Sequence, residues 1–228
     1  MGTYLQLVQD LHRECGASGV APTSVLSPTG EARRLVQWIR NADLHIQRLW
    51  INWKFLRATY SQPTVNGQIT LPKPGNLAVW DLDTFFIIPP GGTPGVDNAP
   101  FEAVEYDGVK SDLLDISSGE PTRVIIMPDN SLKFEGTPNG AYTILADYYK
   151  TPVPLAANTD VSLIPEEFHP LIVGRALILY GNFENAAEIK KQGEETYGLF
   201  IGQLENRELP NQNYSRYRTG GGFEVIAE

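Results

Sequence analysis

The feature that most constrains this chain is the stretch from Glu31 to Arg57, which contains neither proline nor glycine. At about 1.5 Å per residue, one uninterrupted helix of this length would measure about 40 Å, as long as a small domain is wide. Its apolar residues follow alternating steps of four and three, which places on one face Leu35, Ile39, Ala42, Ile46, Leu49, Trp53 and Leu56. Such a stripe requires helical partners of similar length elsewhere in the chain.

Three further helices are predicted to supply those partners. The first runs from Tyr4 to about Glu14, with Thr3 as its N-terminal cap. Helix resumes near Pro165, and Pro170 either kinks that helix or marks its true start. Asn185 is expected to cap the last helix. Close packing is expected to stabilise this last helix despite its three glycines, Gly193, Gly198 and Gly202.

The centre of the chain has a β pattern. Asn66-Gly67 predicts a hairpin between TYSQPTV and QITLP, and Pro63 and Pro72 restrict both of these strands to sheet edges. The segment LAVWDLDTFFII alternates as one strand, Asp129-Asn130 predicts a second hairpin, and AYTILADYYK predicts a long last strand.

These patterns together predict an α+β fold, in which a helical bundle contains an inserted antiparallel β domain. The bundle is discontinuous and comprises residues 1–57 and 153–209, and the β domain comprises residues 58–152. Residues 210–228 are expected to form an extended C-terminal docking tail.

Composition excludes several classes of function. The formal net charge of −9 argues against a general nucleic-acid binder, although not against a channel through which DNA passes without sticking. The single cysteine, Cys15, excludes an intrachain disulfide and a multi-cysteine metal site, and is expected to be a small core residue. No run approaches the roughly 18 apolar residues of a membrane span, and the chain starts without a secretory leader, so a cytosolic origin is expected.

The sequence offers little catalytic chemistry, and no enzyme activity, cofactor or metal is predicted. Phosphate-loop, dinucleotide and zinc-protease motifs are absent from the sequence. Asp81 and Asp83 share a face of one predicted strand, as an acid and base pair would, but a solvated strand face is the favoured interpretation. The remaining titratable candidates are interpreted as a polar turn and as separate helix residues; they are Asp107, Asp112, Asp115, His12, His45 and His169.

Two groups of aromatic residues leave an alternative open. Trp50, Trp53 and Phe55 are expected to cap the core where bundle and β domain join. A sugar-binding or receptor-binding β domain would instead expose in a groove the aromatic residues Trp80, Tyr106, Tyr148 and Tyr149.

The C-terminal tail is the predicted partner-binding segment. After Pro210 the chain has no helical periodicity, and Gly220 to Gly222 form a hinge. Aromatic and arginine side chains suit an interface, and FEVIA suits strand addition to another chain's sheet. The candidate partner-binding residues are Tyr214, Arg216, Tyr217, Arg218, Phe223, Val225 and Ile226.

The order of these elements resembles the head-to-tail adaptor (connector, or neck) proteins of tailed bacteriophages, including the tubular adaptor of short-tailed phages. The similarity lies in TYLQLVQDLHRECG, TGEARRLVQWIRNADLHIQ and WKFLR, and then in residues 119–155 and 164–204. It covers nearly the whole chain, and it is weakest from about Trp80 to Asp115 and in the tail.

The resemblance implies a virion structural protein with no catalytic residues. Such a subunit belongs to a ring, usually of twelve copies, between the portal protein and the tail (nozzle or tube) proteins, where it lines the DNA exit channel. It would be assembled in the host cytoplasm, would reside in the virion neck and would bind no membrane. In many relatives a C-terminal extension docks on the portal, whereas a tail terminator or completion protein is the nearest alternative.

Overall fold

The computed structural model describes residues 2–108 and 118–210, and its fold is α+β as predicted, with helices before and after a β region along the chain. The helices are α1 (Tyr4–Glu14), α2 (Gly30–Leu49), α3 (His169–Glu184) and α4 (Ala187–Glu208). The strands are β1 (Arg57–Pro63), β2 (Thr70–Leu71), β3 (Leu77–Trp80), β4 (Phe86–Ile88), β5 (Ala99–Pro100), β6 (Glu102–Glu105), β7 (Ser118–Gly119), β8 (Arg123–Ile126), β9 (Leu132–Phe134), β10 (Thr137–Pro138) and β11 (Thr143–Lys150).

The chain divides into two units. The first, here called the helical unit, contains the residues up to Asp43, Asn52–Phe55 and the residues from Leu155 onward. The second, here called the β unit, contains Leu44–Ile51 and Leu56–Pro154. Each is described by its own contacts below.

Helix α1 begins as the sequence predicts. The backbone N–H of Gln6 donates to Thr3 Oγ1 at 3.3 Å, and the backbone N–H of Thr3 donates to Gln6 Oε1 at 2.8 Å. This reciprocal capping box satisfies N–H groups that have no partner inside the helix. Gly16 follows the end of the helix with a φ of 64°, a left-handed conformation that glycine adopts without steric cost.

Helix α2 is shorter than predicted. It ends at Leu49, so the expectation of one helix from Glu31 to Arg57 is wrong, and its 20 residues span about 30 Å. Trp50, Ile51 and Asn52 are weak helix formers, and the backbone beyond them pairs instead with β11 through strand β1. Pairing with β11 therefore determines the secondary structure of this segment, although its side chains follow a helical pattern.

Helices α3 and α4 form a tightly packed hairpin. Pro170 lies in the first turn of α3, which confirms that it marks the true start of that helix. Asn185 does not cap α4 with its side chain as predicted; it ends α3 in the left-handed conformation with a φ of 55°. Ala186, which makes no side-chain cap, precedes α4 instead.

The β unit contains two larger sheets. One has the order β1-β11-β4-β5 with β3 also paired to β11, and the other has the order β2-β9-β8-β6. Most pairs are antiparallel as expected, but β6 pairs with β8 and β7 pairs with β10 in parallel. Strands β1 and β2 lie at edges, which confirms the restriction predicted from Pro63 and Pro72.

Only one of the two predicted hairpins forms. Strands β8 and β9 pair across Asn130, whose φ is 64°, as Asp129-Asn130 predicts. Asn66-Gly67 does form a turn, with the Gln68 N–H donating to Val65 O at 3.0 Å, but β1 pairs with β11 and β2 pairs with β9. That turn connects two different sheets, and the predicted hairpin is wrong.

Both sheets contribute side chains to one hydrophobic core. Trp80 packs edge-on against Tyr60 and Tyr148, with ring centroids 5.1 and 5.8 Å away. The remaining buried members come from both sheets and include Leu71, Ile87, Phe101, Val124, Leu132, Phe134 and Ile144.

Candidate interaction surfaces

Asp81 and Asp83 do not form an acid and base pair. A 3₁₀ turn at Leu82–Thr84 interrupts the predicted strand, so the expectation of one shared strand face is wrong. The Arg57 guanidinium lies 3.1 Å from Asp81 Oδ2 and 2.8 Å from Asp147 Oδ2. Burial raises the pKa of Asp81, and the nearby Arg57 opposes that rise. Because Asp83 is exposed outside this cluster, the arrangement is that of a salt bridge between strands.

The other titratable candidates are dispersed. Among the described residues, no group of three or more His, Cys, Asp or Glu side chains is placed to hold a metal ion. Asp107 is exposed, whereas Asp112 and Asp115 lie outside the described residues. Cys15 is buried at the end of α1, as expected of a core residue, and burial raises the pKa of its thiol.

The aromatic residues of the β unit do not line an open groove. Trp80, Tyr148 and Tyr149 are buried, and Tyr106 is half-buried. The Trp80 indole N–H donates to Asn130 O at 3.0 Å, as a core tryptophan does. This burial removes the exposed stacking surface that a sugar-binding β domain requires.

One face of α4 is packed against α3 at backbone distance. A Cβ added at Gly193 would lie 2.7 Å from Gly174 O and 2.9 Å from Ile178 N. A Cβ at Gly181 would lie 2.7 Å from Lys190 N, on the opposite side of the same contact. Glycine is therefore required where these helices cross, as the sequence predicts for Gly193.

The opposite face of α4 is open and acidic. An added Cβ at Gly198 or Gly202 would meet no atom within 4 Å, so close packing within the described chain does not explain these two glycines, contrary to expectation. Leu199 lies beside them and is 62% exposed. From Gln192 to Asn206 the helix carries three glutamates and no basic residue, and two of these glutamates, Glu194 and Glu195, are exposed.

The exposed face of α2 has the opposite charge. Arg33 and Arg34 are exposed and Arg40 is half-buried, and no acidic residue occurs from Ala32 to Ala42. The whole helix carries four arginines against two acidic residues, a formal charge of +2. Its buried face comprises Leu35, Ile39, Ala42 and Ile46, as the apolar stripe predicts.

An aromatic patch lies beside the basic face of α2. Trp38 packs against Tyr180 and Phe183 of α3, with ring centroids 5.7 and 5.6 Å away. The Arg34 guanidinium lies 4.4 Å from the centroid of the Phe183 ring, and Phe183 is 54% exposed. A cation over an aromatic ring that remains half open to solvent is typical of contact surfaces.

A cavity of about 390 Å³ opens between α1, α3 and α4. His169 lines it and is buried; its Nε2 lies 3.0 Å from Ile164 O, and its Nδ1 has no partner among the described residues. Burial lowers the pKa of His169, which favours a neutral ring that donates from Nε2. The polar side chains around the cavity include Asp10, Arg13 and Glu14.

The seven residues proposed from the tail cannot be placed. Tyr214, Arg216, Tyr217, Arg218, Phe223, Val225 and Ile226 all lie outside the described residues. The charged faces of α2 and α4 were not predicted as sites. A signal for them exists in the sequence, because three arginines without an acid on one helix contrast with three glutamates without a base between Gln192 and Asn206.

Comparison with known proteins gives one result. The sequence model of the SU10 adaptor protein family matches residues 2–221, which is nearly the whole chain. No curated protein matches the chain. None of the described helices is long and apolar enough to cross a membrane.

Proposed function

The chain belongs to the SU10 adaptor protein family of bacteriophages, and on that premise we propose that it forms a ring between portal and tail. In this proposal it lines the channel through which DNA leaves the capsid. The observation that carries the proposal is the family match across residues 2–221. A structural adaptor family is in keeping with a role that is not enzymatic.

The helical unit supports a role as a wall element. Helices α2 and α4 have 20 and 22 residues and therefore span about 30 and 33 Å. Each leaves one long face exposed, and the other face is buried in α2 and buried or half-buried in α4. Long helices placed side by side give extensive lateral contacts, and repetition by one rotation closes a ring. We propose twelve copies, with residues 1–57 and 153–209 as the wall and 58–152 as an inserted domain.

The charge of the protein supports a channel in which DNA slides. Each copy carries a formal charge of −9, so twelve copies would form a strongly negative body. An acidic lumen repels phosphates and disfavours adhesion of the passing DNA. Neutralising acids that line the lumen should slow DNA exit in infected cells without blocking assembly, and unchanged ejection would count against this part of the proposal.

The tail is proposed as the segment that docks on the portal. Its residues 223–227 suit strand addition to a sheet edge, and Tyr214, Arg216, Tyr217 and Arg218 suit the centre of an interface. Deleting Asn211 to Glu228 should leave a folded protein that no longer binds portal rings. If the shortened protein bound portal rings as well as the full chain does, the portal contact would have to lie on another surface.

The decisive experiment is incubation of the purified protein with isolated portal rings, followed by mass measurement and imaging of the product. A ring of twelve copies stacked on the portal is the expected result. A clean failure to bind portal, with binding to tail tubes instead, would favour a tail terminator or completion protein. That second candidate shares the same assembly chemistry and differs only in its partner.

A further inference from the structure

Two exposed faces of the helical unit carry opposite charge. The α2 face presents Arg33 and Arg34, and the α4 face presents Glu194 and Glu195. Helix α4 packs on α3 with its other side, through Gly193 against Gly174. Helix α2 meets α3 beside its basic face: Trp38 packs against Tyr180, and the Arg34 guanidinium lies over the Phe183 ring and 3.9 Å from Glu184. The two faces lie on different helices of one unit, and these four charged side chains are exposed.

We propose that the α2 face of one copy docks on the α4 face of the next copy, and that this contact joins neighbouring subunits of the ring. The inference rests on the proposed ring and names the surfaces that build it. A contact between two different faces is heterologous, which is the type of contact that generates a ring by repetition. A two-fold dimer centred on either face alone would instead bring like charges together.

Charge complementarity supports a second copy as the occupant. From Ala32 to Ala42, α2 carries three arginines and no acid, and from Gln192 to Asn206, α4 carries three glutamates and no basic residue. Ion pairs within α4 are weak: Lys190 lies 3.8 Å from Glu194, and Lys191 lies 3.8 Å from Glu195, both on the exposed surface. The arginines of a neighbour would therefore meet carboxylates that are still largely available.

The shape of the α4 face also fits an incoming helix. Gly198 and Gly202 lie one turn apart and leave their surroundings open, so a neighbouring helix can approach the α4 backbone closely. Leu199, which is 62% exposed, supplies the apolar centre that such a contact needs. On the other side, Phe183 and Trp38 extend the α2 face with aromatic surface.

The test uses charge reversal in the full-length chain. One variant carries Arg33→Glu and Arg34→Glu, and the other carries Glu194→Lys and Glu195→Lys. Each variant alone would place like charges across every contact, so ring formation on portal should fall about tenfold or more. Far-UV circular dichroism and thermal melting serve to check that both variants are folded. A control variant with Lys73→Glu changes an exposed charge in the β unit, outside both faces, and should assemble normally.

Mixing the two variants provides the sharper result. In an alternating ring, the acidic α2 of one variant meets the basic α4 of the other, and the basic α2 of the second meets the acidic α4 of the first. An equimolar mixture should therefore restore rings of even subunit number, and one chain with all four substitutions should also assemble. The inference is overturned if either reversed variant assembles alone as the natural chain does. It is equally overturned if folded variants fail both as a mixture and as the fourfold variant. A natural chain that forms no ring would refute the proposed function itself, which is a different outcome.

Discussion

The two faces of α4 differ in what completes their packing. On the inner face, Gly193 meets the backbone of α3 so closely that no Cβ fits, and Leu204 is fully buried. On the outer face, Gly198 faces open space and Leu199 is 62% exposed. The same two residue types therefore occur in both settings on one helix. Folding of the chain explains the inner set, and assembly is our explanation for the outer set.

The largest expected effect is the difference in stability between alanine substitutions at Leu204 and at Leu199. Leu204→Ala should lower the free energy of unfolding by about 3 kcal/mol, because it leaves a cavity in a fully packed site. Leu199→Ala is its matched control and should change stability by less than about 0.5 kcal/mol. Urea unfolding followed by circular dichroism measures both. Equal effects would show that the outer face is packed within the free chain.

The next effect concerns the inner glycine. Gly193→Ala should lower the free energy of unfolding by about 2 kcal/mol, because the new Cβ would overlap Gly174 O and Ile178 N. The atoms that it meets include backbone atoms, which cannot rotate away as a flexible side chain does. Thermal melting of the variant checks this, and an unchanged midpoint would mean that the helices can separate at no cost.

A smaller effect of opposite sign is expected at the outer glycine. Gly198→Ala should raise the free energy of unfolding of the free chain by about 0.5 to 1 kcal/mol, since alanine favours helix and meets no neighbour. If a second copy packs against this position, the same substitution should weaken ring formation on portal. Stability that rises together with unimpaired assembly would exclude close approach at Gly198.

The smallest expected effect is a pH dependence of the free energy of unfolding that comes from the partly buried Tyr197 on α4. Burial raises the pKa of Tyr197 above its usual value, and Arg175 partly opposes this. The unfolded chain ionises first, near pH 10, so the contribution to stability is complete below that pH and is lost as pH rises further. Tyr197→Phe should therefore reduce the loss of stability between pH 9 and 11. Buried tyrosines elsewhere contribute equally to both chains and cancel in the difference.

Local chemistry determined which elements could be predicted. The cap at Thr3 and the turn at Asn130 depend on residues a few positions apart, and both were predicted correctly. The start of α3 at Pro170 is equally local and was one of two alternatives that the sequence offered. The end of α2 and the failed hairpin at Asn66-Gly67 depend on pairing with β11 and β9, which follow about 65 residues or more later in the chain. Periodicity cannot report such distant partners.

The candidate surfaces likewise include features that local sequence predicts and features that depend on packing between distant elements. The exposure of Arg33 follows from helical periodicity, but the open space at Gly198 depends on which face of α4 meets α3. Three glycines on one helix look alike in sequence, and only one of them lies at a backbone crossing. The family, by contrast, could be recognised from the order of elements, because the resemblance covers nearly the whole chain.

The central place of β11 in its sheet has a consequence for synthesis on the ribosome. β11 pairs with β1, β3 and β4, so this sheet can close only after Lys150 has emerged, yet it needs no residue of α3 or α4. The β unit can therefore fold while the last helices are still being made. Helix α1 must wait longer, because the backbone N–H of Tyr4 donates to Asp160 O and because α1 packs against α3. A nascent chain stalled once Pro154 has left the ribosome, with α3 and α4 still inside it or not yet made, would carry a finished β unit and an exposed apolar face on α1.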